Sequence, residues 1–290
     1  MIVDLEDAAR AAGLCAVALD LSEDAAEAGA LVDRLSAPPA ARRTVRLTSP
    51  GGTGVVFGSI SDSDPTTGHI ELIAVHPQHR RQGIGTALLA AAETRLADLG
   101  ARRVRIGGNP PCYAWPGIDV RYTPAVCLAR RSGYELTDTA WNMTADLTLT
   151  HPAAESDTAH LESAGVKILP AGPDTADWVR TIWGDGWAWE VEQSLNRPDA
   201  GCYVAVRDGE ILGFAAYGAN RPSWFGPMGT APSAEGLGVG RVLLRRCLTD
   251  QHAAGRSTAQ IGWAGPIAFY SKAVAARLER VFWITTKPLI

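Results

Sequence analysis

Apolar and polar positions along the chain form a pattern that occurs twice. In the first half, residues 44–47, 55–60 and 70–75 alternate or run apolar between clusters of Gly, Ser, Asp and Pro, which predicts a strand meander. From about residue 83 to 99 the period lengthens. Leu88, Leu89, Ala92 and Leu96 fall on one helical face, and Gly100 supplies a stop. Residues 104–106 return as a strand; upstream, 16–21 reads as a strand and 23–35 as a helix. The second half predicts the same succession: strand 166–169, helices 174–183 and 189–195, then strands 203–206, 211–216 and 224–228. Helix 238–253 and strand 259–262 complete it.

The match extends to individual residues. Pro77-Gln-His-Arg-Arg-Gln-Gly83-Ile-Gly85-Thr-Ala-Leu88-Leu89 aligns with Pro232-Ser-Ala-Glu-Gly-Leu-Gly238-Val-Gly240-Arg-Val-Leu243-Leu244 at an offset of 155 residues. The register persists without a gap to Gly100/Gly255, Ile106/Ile261 and Gly107/Gly262. The chain therefore reads as two copies of one mixed α/β unit, residues 1–149 and 165–290, joined by a polar, small-residue linker over 150–164.

Composition narrows the class. With 46% apolar residues, the 290-residue chain can bury ordinary cores, and its net charge of −4 argues against a sequence-independent grip on nucleic acid. Five scattered cysteines without a C-x-x-C spacing argue against a disulfide framework or structural zinc and for a reducing compartment. The N-terminus is acidic where a signal peptide is basic, and no stretch approaches the roughly 18–20 apolar residues of a membrane span. These features predict a cytoplasmic protein, monomer or homodimer, with neither membrane nor nucleic acid as a partner. His69, His76 and His79 span a strand and a loop and read as surface residues with no metal site. Trp178, Trp183, Trp187 and Trp189 crowd one segment, either as core or as an aromatic acceptor pocket.

In both halves a strand ends at a proline, a short loop carries G-x-G, and an apolar helix begins at once. The free N–H groups and dipole of a helix's first turn attract anions, and glycine removes the Cβ that would hold a phosphate away. A turn-and-cap role is the alternative for either loop alone; the duplication favours a phosphate cradle. Arg80, Arg81 and Gln82 furnish the first loop, which lacks the Lys-Ser/Thr of a Walker loop and the third glycine of a dinucleotide fingerprint.

Arg80-x-x-Gly83-x-Gly85, preceded by Ile73-Ala-Val-His-Pro and followed by Thr-Ala-Leu-Leu, resembles motif A of the GNAT acyl-CoA N-acyltransferases. Phe269-Tyr270-Ser-Lys272 resembles the family's motif B, and Gly108-Asn-Pro-Pro-Cys-Tyr-Ala-Trp-Pro-Gly-Ile-Asp119 is similar to a loop of tandem bacterial members. The resemblance covers nearly the whole chain. It implies two tandem GNAT-like domains, each a mostly antiparallel central sheet flanked by helices. It also implies transfer of an acetyl or short acyl group from acetyl-CoA to a primary amine of a small molecule, such as an amino sugar or amine metabolite, without a covalent enzyme intermediate. Alternatives are a CoA-binding module with degenerate halves and an enzyme for longer acyl-CoAs.

The resemblance also implies site residues. In the first half Ala74 and Val75 would hydrogen-bond the acyl carbonyl, and Arg80, Arg81, Gln82, Gly83, Ile84, Gly85 and Thr86 would hold CoA. In the second half Met228, Gly229 and Thr230 take the first role, and Leu237, Gly238, Val239, Gly240, Arg241 and Lys272 the second. Glu71 stands where the family often keeps a general base, with a solvent-facing strand carboxylate as the alternative. Tyr270 is the expected thiolate proton donor of the second half, with a buried helix aromatic as its alternative. The two halves split this equipment. Ala129 takes the tyrosine's place in the first half, with Tyr122 nearby. In the second, Glu235 enters the loop and Gly226 replaces Glu71, leaving Asp185, Glu190 and Glu192 as substitute bases. The proton donor weighs more on this reading, which favours the second half as catalytic.

Overall fold

The computed structural model of the protein describes residues 1–149 and 155–289. It divides into two compact units, Met1–Ala140 with Arg280–Ile290, and Trp141–Glu279. The first contains β1 (Val3–Asp4), α1 (Ala8–Ala18), α2 (Ser22–Ala26), α3 (Ala28–Ser36), β2 (Thr44–Thr48), β3 (Gly54–Ile60), β4 (Thr67–Val75), α4 (Ile84–Asp98), β5 (Arg103–Ile106), β6 (Ile118–Asp119), α5 (Thr123–Arg131) and the start of β7 (Glu135–Asp146). The second contains the end of β7, then α6 (Glu155–Ser163), β8 (Lys167–Pro170), α7 (Thr175–Trp183), α8 (Asp185–Asn196), β9 (Gly201–Arg207), β10 (Glu210–Tyr217), β11 (Trp224–Thr230), α9 (Val239–Ala253), β12 (Thr258–Ile261), α10 (Ile267–Val274) and the start of β13 (Arg277–Pro288).

Each unit has a mostly antiparallel sheet flanked by helices. The N-terminal order is β1-β2-β3-β4-β5, antiparallel except for β4–β5, with Thr285–Pro288 of β13 completing it beside Arg103–Ile106. The C-terminal order is β8-β9-β10-β11-β12, again with one parallel pair, β11–β12, and Met143–Asp146 of β7 at its end. Each sheet's last strand thus comes from a distant part of the chain.

The repeat holds at single-residue precision. Helices α4 and α9 start 155 residues apart, each behind a left-handed glycine cap, Gly83 (φ 81°) and Gly238 (φ 83°). The predicted face of α4 is the buried one. Leu88, Leu89, Ala92 and Leu96 are all at most 1% exposed and pack with Val45, Val56 and Ile70 of the sheet. Each such leucine contributes about 1.5–3 kcal/mol.

Four expectations change. Residues 16–21 are not a strand: 8–18 is helix α1, favoured by its alanines and by Asp7, whose side chain accepts the Arg10 N–H. Residues 23–35 form two helices rather than one, separated at Glu27 (φ −100°, ψ 8°). His69 is buried, 4% exposed, with Nδ1 on the Gly107 carbonyl (3.1 Å), and burial lowers its pKa to about 4. Of residues 150–164, 150–154 lie outside the described residues and Glu155–Ser163 is helical. Among the described residues no helix is long and apolar enough to cross a membrane.

One buried ion cluster fastens the chain's last strand into the N-terminal unit. Arg280, 1% exposed, donates to both Asp24 oxygens (2.9 and 2.8 Å) and to Asp119 Oδ2 (2.8 Å). Asp119 also accepts from Arg121, and Tyr122 donates to Asp24. Removing one partner of such a cluster leaves uncompensated buried charge. Arg280→Met is therefore expected to lose about 3–5 kcal/mol of stability in urea denaturation; a loss below about 1 kcal/mol would contradict this account.

Candidate active site

The site begins with one extra residue. Strand β3 pairs with β4 in the register Val56↔Ile73 and Phe57↔Leu72, then shifts to Gly58↔Ile70 and Ser59↔His69. Glu71 therefore has no partner on β3: it is a β-bulge, which bends its strand and re-aims its side chain. Gly58 makes the bulge possible, because a Cβ there would lie 2.6 Å from the His69 carbonyl oxygen. At the same point β4 leaves its other neighbour. The parallel pairing with β5 ends at Ile70↔Ile106, closed by the Gly107 N–H on the Ile70 carbonyl. From Glu71 to Val75 the β5-facing edge of β4 is free of ladder bonds.

A cavity of about 690 Å³ lies along this edge, lined by Glu71, Ile73 and Val75, by the loop before α4, and by Trp115 and Tyr122. The N–H groups of Ile84, Gly85 and Thr86 precede the first intrahelical bond of α4, from Ala87 N–H to the Gly83 carbonyl. They form an anion cradle at the positive end of the helix dipole. Gly83 needs its left-handed φ, and a Cβ at Gly85 would lie 3.4 Å from Leu128 Cδ2. Arg81 is exposed, held at φ 64°, and Thr86 is exposed beside it. Gln82 donates to the Gln78 carbonyl. These features fit the pyrophosphate of an acyl donor, and Ala74 and Val75 line the same cavity.

Arg80 has a different position from its neighbour. Its guanidinium donates to the carbonyls of Val75 (3.2 Å) and Ala18 (2.6 Å) and pairs with Asp20 (3.1 Å). It ties the end of α1 to the end of β4, forming the wall of the cradle.

Glu71 is enclosed. Its side chain is 6% exposed, with Arg42 Nη1 3.9 Å from Oε1 and a hydrogen bond from Ser59. Burial pushes its carboxyl up to about 7, against the opposing pull of Arg42 and Ser59. A carboxylate with that proton affinity suits proton transfer near neutral pH. Sequence reasoning missed Arg42 and Ser59, which lie outside any motif, and gave no role to Trp115 or Asp119, which lie within the 108–119 loop motif. The signal that could have found the bulge is Gly58, a lone glycine inside a strand pattern. Tyr122 reaches the cavity wall, but its hydroxyl donates to Asp24 (2.9 Å), and burial with that carboxylate raises its pKa.

The C-terminal unit repeats this geometry without its side chains. Pairing of β10 with β11 shifts between Ala215↔Met228 and Tyr217↔Phe225, leaving one extra residue on β11. The parallel pairing with β12 ends at Phe225↔Ile261, closed by Gly262 N–H on the Phe225 carbonyl, 155 residues from its counterpart. Gly226 occupies the place of Glu71. Side chains fill the neighbouring space: the Trp183 ring lies 2.5 Å from where a Gly229 Cβ would be, and Met228, Thr230 and Phe269 surround Gly240. Val239 is buried in the core, Leu237 packs against it, Arg241 folds near Gly238, and Glu235 and Lys272 are exposed. Tyr270 packs edge-on against Phe225 and Phe269, and burial pushes its phenol up to about 12. Glu190 is buried against Asn220, whereas Asp185 and Glu192 pair with Arg180. Trp178, Trp183 and Trp187 pack around Phe214 as core (centroids 5.3–6.3 Å), with Trp189 half-buried beyond them.

Comparisons with known proteins bear on the family and the fold. The family model described as "Acetyltransferase (GNAT) family" matches residues 50–113 and 173–273, one stretch in each unit. The mycothiol acetyltransferase of Streptomyces avermitilis is 29% identical over 238 residues, spanning 74% of this chain and 69% of its own. That of Streptomyces coelicolor is 28% identical over 255 residues, 82% of this chain and 75% of its own. A solved tandem GNAT protein from the clavulanic acid biosynthesis pathway superposes with a TM-score of 0.71 at 18% identity, covering 99% of this chain and 98% of that one. The chain belongs to the acetyltransferase (GNAT) family and is an acyl-CoA-dependent N-acetyltransferase that uses acetyl-CoA.

Proposed function

We propose that the N-terminal unit transfers the acetyl group to a primary amine of a small molecule, such as an amino sugar or amine metabolite, with Glu71 as general base. The observation that carries this reading is the Glu71 bulge, a buried carboxylate on the free edge of β4 in the same cavity as the α4 cradle. Its C-terminal equivalent, Gly226, has no proton acceptor to offer, so the geometry favours the half that the motifs alone disfavour.

Bound acetyl-CoA supplies the activated thioester, whose acetyl group passes to the amine nitrogen as the C–S bond breaks. Glu71 takes the proton that the ammonium must lose. The cradle N–H groups and Arg81 hold the pyrophosphate, and the exposed backbone edge at Ala74–Val75 supports the oxyanion. Thiols of the cysteine type have a pKa of about 8.5, so the departing thiolate is a tolerable anion near neutrality. This lessens the need for the tyrosine that Ala129 replaces. The cavity volume and the mycothiol named by the Streptomyces relatives support a small acceptor.

Glu71→Gln is expected to lower kcat by about 10²–10⁴-fold in a thiol-release assay while leaving acetyl-CoA affinity within about twofold. Because the base works deprotonated, the wild-type rate should rise with pH and level off above about 7, and the variant should lose that limb. An unchanged rate in Glu71→Gln, with turnover lost in Tyr270→Phe, would move the reaction to the C-terminal unit.

Gly83→Ala forces a side chain into left-handed backbone, at a cost of roughly 1–2 kcal/mol. Calorimetric titration with acetyl-CoA should show the productive site weakened about tenfold or more by this change. Turnover should survive Gly238→Ala. Loss of turnover in the second variant alone contradicts the assignment.

A further inference from the structure

The loop over residues 107–117 lines the cavity through Gly107, Trp115 and Gly117, beside Glu71. Its ends are joined by the Gly108 N–H on the Pro116 carbonyl (3.0 Å). A Cβ at Gly108 would lie 2.8 Å from the Trp115 carbonyl oxygen, so the loop closes on glycine. It contains no helix or sheet ladder of its own before Ile118, and its shape depends on side chains that reach it from elsewhere.

Arg42 reaches the loop's backbone at three carbonyls. Arg42, 6% exposed, donates through Nη1 to the carbonyls of Asn109 (2.7 Å) and Cys112 (2.9 Å) and through Nη2 to Pro110 (2.7 Å). Its Nε and Nη2 also hold Asp62 (3.1 and 2.6 Å), and Nη1 faces Glu71 at 3.9 Å. From the other side, Asn109 donates to Ser59 Oγ (2.7 Å) and to the Ile60 carbonyl (3.0 Å), and Ser59 bonds Glu71. The loop and the carboxylate therefore share the same two supports.

We propose that Arg42 is a positioning residue for acetyl transfer: its guanidinium braces the 109–112 stretch of the loop that walls the acceptor end and presents a permanent positive charge to Glu71. The inference rests on the assignment of Glu71 as base. The two roles need different properties of the same group. Holding three carbonyls needs the planar five-donor fork of arginine, which the point charge of lysine cannot reproduce. Facing Glu71 needs only positive charge. The charged groups around Glu71 are Arg42 and Arg46, which favour the carboxylate, and Asp62, which disfavours it.

Arg42→Lys and Arg42→Gln separate these roles. Both should raise the KM for the amine about tenfold or more, with acetyl-CoA affinity kept within about twofold. Both should also speed hydrogen exchange of the 107–117 amides while leaving α4 protected. Only Arg42→Gln should move the pH limb, upward, because losing a positive neighbour makes the carboxylate hold its proton longer. Wild-type KM and loop exchange in Arg42→Lys would overturn the clamp. A pH limb unmoved, or moved downward, in Arg42→Gln would overturn the electrostatic role. Loop exchange is read without turnover and on folded protein, so it stands even where Glu71→Gln shows the base to be elsewhere or where Arg42→Gln folds poorly.

Discussion

The N-terminal unit depends on one mismatch of strand register. Strand β4 carries one more residue than β3 can pair, and that residue is Glu71. Because β4 and β5 also part at Ile70↔Ile106, the sheet opens where the carboxylate turns inward. The opening leaves backbone free to face an acyl group, makes room for the cavity, and aims the strand's end at the α4 cradle. Gly58 permits the bulge by keeping its own side clear of the His69 carbonyl. A sheet in perfect register would have neither the gap nor the buried carboxylate.

The C-terminal unit keeps the same constraint without a carboxylate at the bulge. Its bulge, its strand parting and its glycine-capped helix all lie 155 residues from their counterparts. Yet Gly226 brings no carboxylate, and Trp183, Met228 and Phe269 occupy the space beside the glycines. The backbone of the fold is therefore kept in both copies, while the side chains divide them. Buried Tyr270, held between Phe225 and Phe269, belongs to that packing.

Much of this was legible in the sequence, for identifiable reasons. The 155-residue offset predicted the strand–loop–helix succession in both units because glycine caps and apolar faces are local signals. The α1 helix was misread because an alanine-rich apolar stretch carries no strong period, and β7 and β13 escaped notice because their outer halves are exposed. The cradle glycines were readable as a motif, and Glu71 as a family position. Arg42, Ser59 and Asn109 were not: their roles come from contacts 12 to 70 residues away in sequence. A register shift is equally invisible until two strands are paired. This is why the motifs favoured one half and the geometry the other.

The central claim concerns where the acyl carbon lies. A crystal structure with a non-reactive methyl-ketone analogue of acetyl-CoA tests it directly. The account predicts the ketone beside the free edge of β4, with Glu71 within about one bound water or acceptor atom of it, roughly 3–6 Å. The ketone lodged only beside Gly226 of β11, with the cavity at Glu71 empty of analogue, would contradict it.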